Sequence, residues 1–144
     1  MSSWGKVDIK QLEALQKRLA SLDKERGVFI EACAKELAAR LLRKVVKRTP
    51  VGIYPPGSGL VGGTLRRGWT PVSQLAVIRQ GNDYIIDIVN PVEYASYVEY
   101  GHRTANHRGW VEGRFMLTLS VDEVQKMAPQ LLEKRLAEWL GGVL

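Results

Sequence analysis

The segment VFIEACAKELAARLLRKVVKRTP, residues 28–50, decides how the rest of the chain is read. Ile30, Ala34, Leu37, Ala38, Leu41, Leu42 and Val45 recur at three- and four-residue spacing, which puts them on one broad face of an α-helix. Arg40, Arg43, Lys44 and Lys47 fall together on the opposite side, with Arg48 nearby. Thr49-Pro50 ends the pattern, because the residue before a proline is pushed out of the helical region. Cys33, at the edge of the apolar face, packs as a small, weakly polar thiol and carries no chemistry.

Upstream, Ile9, Leu12, Leu15, Leu19 and Leu22 form a second stripe at helical spacing, with Asp8 placed to cap its start. Gly27 separates the two stripes, so a boundary or kink is expected there and two N-terminal helices are counted. Residues 1–7 are expected to be flexible, the whole of 1–144 forming one domain.

Downstream, PVGIYPPGSGLVGG (residues 50–63) holds three prolines and five glycines and sustains neither helix nor sheet. Residues 64–90 are rich in β-branched and aromatic side chains, and Gly81-Asn82 lies among them as a tight hairpin turn. Pro71 places the first strand at an edge or delays its start. Residues 92–101 read as a short helix or irregular corner, and 102–114 as a second loop. A last helix over about 116–140 carries Leu117, Val121, Val124, Leu131, Leu132, Leu136 and Leu140, with Pro129 kinking or dividing it. The expected class is α+β: two N-terminal helices, a long Gly/Pro loop, a small antiparallel sheet built on a hairpin, and a C-terminal helix.

Composition bounds the function. With 25% charged and 45% apolar residues, the 144-residue chain has the proportions of an ordinary soluble globular protein. One cysteine excludes an intramolecular disulfide framework. No apolar h-region opens the sequence, and no apolar run approaches the roughly 20 residues that span a bilayer, so no membrane partner is expected.

Catalytic and metal chemistry find little support. His102 and His107 are spaced H-x4-H, which misses the one-face helical spacing of zinc proteases, and they read as surface loop histidines. Glu93 and Glu99 read as surface or interface acids rather than a carboxylate pair. Gly57, Gly59, Gly62 and Gly63 follow a helix and lack the lysine that a phosphate loop requires. No enzyme activity and no cofactor are expected. The net charge of +6 has one focus: Arg40, Arg43, Lys44, Lys47 and Arg48 on one helix, then Arg66 and Arg67 beyond the loop. Such a cluster is either a solvated helix face or a contact to DNA phosphates that ignores base sequence.

Three passages carry a family resemblance. RTPVGIYPPGSGLVGGTLRRGW, NPVEYASYVEYGHRT and WVEGRFMLTLSVDEV occur in the order, and with about the spacing, found in tail-completion and head–tail joining proteins of tailed bacteriophages, over about residues 28–140. The chain departs from the usual wording in its Pro-Pro insertion after Gly52.

The resemblance implies a small α+β virion subunit that forms a homo-oligomeric ring in the neck or at the head-proximal end of the tail. It leaves the copy number open, six being one option. Neighbouring connector, tail-tube or tail-terminator proteins are its implied partners, and viral DNA passes through its lumen. Tyr94, Tyr97 and Tyr100 then become corner and interface aromatics. Gly101 becomes a turn that a Cβ disfavours, with Glu93, Glu99 and His102 as polar rim groups. Ile53, Tyr54, Leu60 and Val61 become docking residues of the long loop, and the basic cluster becomes a surface facing the lumen. A nucleic-acid-binding accessory protein using the same basic helix is the alternative.

Overall fold

The computed structural model describes residues 9–143. Residues 1–7, and the expected cap Asp8, lie outside that range. Helix α1 runs from Ile9 to Arg48 and α4 from Met116 to Val143. Between them come α2 (Thr64–Arg67), a 3-10 turn (Val72–Gln74), β1 (Ile78–Gln80), β2 (Asp83–Ile85), α3 (Ala95–Tyr100), β3 (Gly101–Arg103) and β4 (Trp110–Glu112). The class is α+β, as expected.

The fold resolves four details of the sequence reading. The two N-terminal helices are one: α1 passes through Gly27 without a break. A glycine in a helix interior costs only about 1 kcal/mol, which the flanking turns outweigh. Likewise α4 continues through Pro129 as a single helix. Residues 64–67 form a turn of helix, and β1 begins at Ile78, so the strand starts only after Pro71. Finally, residues 102–114 are no simple loop. Two separate two-stranded antiparallel sheets form, one from β1 and β2 and the other from β3 and β4. Ile78 faces Ile85 across the Gly81 turn in the first, and His102 faces Val111 in the second.

α4 lies antiparallel along the C-terminal half of α1. Its start meets Arg48, its middle meets Arg40 and Glu36, and its end reaches Phe29, which stacks on Trp139 at 5.0 Å. The core sits at the first of these ends, where Leu42 and Val45 of α1 meet Leu65, Trp69 and Met116. Thr49 is the polar hub of this core and is fully buried. Its hydroxyl donates to the Val45 carbonyl (2.7 Å) and accepts from Trp69 Nε1 (2.7 Å). Its carbonyl accepts from Arg66 (2.7 Å), which ties α2 to the end of α1.

Candidate functional site

Seven cations form the basic cluster of the sequence, and the fold divides them. Arg48 and Lys44 both donate to the Glu123 carboxylate on α4, Lys44 at 3.0 Å. Arg40 donates to Glu36 at 3.2 Å, and Glu36 also receives Arg135 of α4 at 2.8 and 2.9 Å. These contacts hold the Glu36 carboxyl down to about 2, chiefly through the Arg135 hydrogen bonds. Glu123 is likewise held at about 2 by Arg48 first and Lys44 second. The cations Arg40, Lys44 and Arg48 therefore hold α1 to α4 and are not a solvated face.

The other four converge elsewhere. Arg43, Lys47, Arg66 and Arg67 line one groove of about 480 Å³ with Leu42, Val46, Trp69 and Val72. Among the described residues, no acidic side chain lines it. Arg43, Lys47 and Arg67 are exposed, while Arg66 is half-buried and anchored on Thr49. A groove with a cationic rim and an apolar floor attracts an anion and can hold an apolar group beside it.

The long loop and the tyrosine corner are brought together, although some 40 residues separate them in sequence. Tyr54 and Val61 of the loop share a pocket of about 260 Å³ with Pro50, Tyr94 and Val98. Next to it, a second hollow of about 270 Å³ is lined by Tyr94, Tyr97, His102, Val111 and Arg114. Tyr97 stacks on His102 at 5.8 Å. Ile53 is 96% exposed, and Leu60, Val61, Tyr97 and Tyr100 are exposed as well. Tyr54 and Val61 thus share one partly uncovered apolar surface with Tyr94 and Tyr97, whereas Tyr100 lines a separate hollow with Trp69, Ile88 and Met116. Val111 of β4 belongs to the corner hollow as well, a residue that an expected loop over 102–114 does not single out.

Two corner residues have clear structural duties. Gly101 sits at φ 88°, and a Cβ there would lie 2.9 Å from the Gly113 nitrogen. Glu99, expected at the rim, is buried at 6% exposure. Its Oε2 accepts from the Leu117 N–H (2.9 Å), and its Oε1 accepts from the N–H (2.8 Å) and hydroxyl (2.7 Å) of Thr118. A carboxylate at a helix N-terminus satisfies N–H groups that lack partners within the helix. Glu99 therefore caps α4 from another element.

The order of these parts along the chain meets a family pattern. A model described as "Bacteriophage HK97-gp10, putative tail-component" matches residues 13–101. The chain belongs to this HK97-gp10-like family of phage tail components. Its coarse role follows: a structural protein of a phage tail, with its place in the virion. The match takes in α1 from Glu13 onward, the long loop, α2, the first hairpin and the tyrosine corner, ending at Gly101. Hairpin β3–β4 and α4 lie beyond it. No curated protein and no solved structure matches the chain. Among the described residues, no group of three His, Cys, Asp or Glu side chains is placed to hold a metal ion, and no helix is long and apolar enough to cross a membrane.

Proposed function

We propose that this tail component is a neck or tail-completion subunit, which assembles as a homo-oligomeric ring and joins the tail to the head connector. It works by binding, without turnover. The observation that carries the reading is the meeting of Tyr54 and Val61 of the loop with Tyr94 and Tyr97 of the corner, while Ile53 and Leu60 of the same loop stand exposed. A lone subunit leaves this surface in water, whereas adjacent subunits or the connector would cover it, and uncovered apolar area is a driving force for assembly.

Arg43, Lys47, Arg66 and Arg67 supply a second contact in this reading, to the phosphates of DNA in the lumen. Among the described residues, their groove has no acidic lining side chain, which supports binding by charge rather than by base sequence. The same observation favours the runner-up, a nucleic-acid-binding accessory protein that acts away from the ring.

Removal of residues 56–61 separates the two. That deletion takes out exposed loop and leaves the core residues in place. For a joining subunit, the melting temperature stays close to the parent's while tails no longer attach to heads in electron micrographs. Intact particles from the deletion variant, together with lost particles from Arg43→Glu and Lys47→Glu, would instead favour the accessory protein.

A further inference from the structure

The first turns of α1 project past the end of α4 and carry a strip of leucines. Leu12, Leu15 and Leu19 are 52–56% exposed. With Leu22 they follow three-, four- and three-residue steps, the a and d positions of two heptads. Continued along α1, the same seven-residue repeat reaches Phe29, Glu36 and Arg40, the residues that meet Trp139, Arg135 and Met127 of α4. The leucine strip is therefore an extension of the α1–α4 seam beyond the point where α4 ends. Among the described residues, about 16 residues of helix, roughly 24 Å, carry this leucine face beyond the end of α4.

We propose that a second copy of this chain covers it, the two α1 overhangs running side by side in parallel as a short coiled coil. Charge selects both the occupant and the direction. Taking Leu12 as position a, Arg18 falls at g and Asp23 at e of the following heptad. In a parallel pair each g residue meets the partner's next e residue, so Arg18 meets the partner's Asp23 on both sides of the seam. Asp23 bonds Arg26 of its own helix through Oδ1 (2.7 Å), and its second oxygen remains for the partner's Arg18. An antiparallel pair that matched the same leucines would set Arg18 against the partner's Arg18. Like charges across a seam oppose that alignment. The next a position is Arg26, a cation where the repeat calls for an apolar residue. The paired segment thus stops at two heptads, just before Phe29 turns to its own α4. This pairing rests on α1 alone and adds a subunit contact that the ring reading does not require.

Sedimentation equilibrium on the full chain, up to about 1 mM because a two-heptad seam is short, tests the pairing. The expected result is a concentration-dependent monomer–dimer equilibrium. Changing Leu15 and Leu19 together to lysine is expected to raise the dimer dissociation constant at least about tenfold with an unchanged melt, since both residues are exposed in the monomer. Arg18→Glu and Asp23→Arg are each expected to weaken the dimer, and the two combined to restore it to within about threefold of the parent. A monomer at every concentration would overturn the proposal. So would a double charge variant no tighter than either single one, which rules out the parallel seam. Association that ignores the leucine changes, with the strip shielded only in assembled particles, would assign the surface to another tail protein instead. Failure of the loop-deletion experiment would remove the ring reading and leave this pairing standing.

Discussion

Glu99, on the last turn of α3, holds the first turn of α4 through Thr118, accepting from both its N–H (2.8 Å) and its hydroxyl (2.7 Å). With the parallel bond to Leu117, one buried carboxylate satisfies two backbone donors. Glu99→Ala is expected to lower unfolding free energy by about 2–3 kcal/mol, the scale of hydrogen bonds to a charged group in a buried site. Glu99→Gln keeps one acceptor but aims an amide donor at an N–H, so a smaller loss of about 1–2 kcal/mol is expected. Urea titration measures both, and an unchanged midpoint for Glu99→Ala would refute the capping role.

Thr49→Val keeps the shape of the buried side chain and removes its hydroxyl. Trp69 Nε1 then loses its acceptor inside the core, and a cost of about 1–3 kcal/mol is expected. Thr49→Ser retains the hydroxyl and should recover most of that stability. Equal melts for the valine and serine variants would contradict the hub.

Acid should loosen the α1–α4 contact. Glu36 and Glu123 are both lowered from an ordinary 4.5 to about 2 in the folded chain. Folding therefore binds fewer protons than the unfolded state across that window, and stability falls as pH falls. The ion pairs contribute in full above about pH 4.5 and are lost as pH drops through about 2. Thermal melts between pH 7 and pH 2 should show this decline, and Glu123→Gln should make it shallower. A variant as acid-sensitive as the parent would show that Glu123 has no part in it.

Arg43→Glu and Lys47→Glu test the basic groove without disturbing the fold, because both side chains are exposed and unpaired among the described residues. Stability should stay within about 0.5 kcal/mol. Binding to duplex DNA should weaken equally for unrelated sequences, with the salt slope falling by about one for each phosphate contact removed. Sequence-dependent losses would point to base recognition instead.

Gly101→Val combines a left-handed backbone with a blocked space. At φ 88°, a β-branched residue is strained, and its Cβ would press on the Gly113 backbone. Gly101→Ala should already lower the melting temperature, and the valine variant should do so further. A melt unchanged in both would mean that the β3–β4 hairpin re-forms without this turn.

What depends on neighbours along the chain is legible in the amino-acid order. The apolar stripes of α1 and α4, the stop at Thr49-Pro50 and the Gly81 turn are all local, because backbone sterics and helical periodicity act over a few residues. The local signal at Gly27 misled, since a propensity of about 1 kcal/mol yields to the turns packed around it, and Pro129 does not divide α4. Which charges remain available is set by packing between distant segments. Arg40, Lys44 and Arg48 look identical in kind to Arg43 and Lys47, yet the first three meet or share acids that bind α1 to α4. Glu123 lies 75 residues from Arg48, and Arg135 lies 99 from Glu36. The burial of Glu99 and the meeting of loop with tyrosine corner have the same origin. Each depends on long-range packing, and no spacing within a short window encodes which distant residue will arrive.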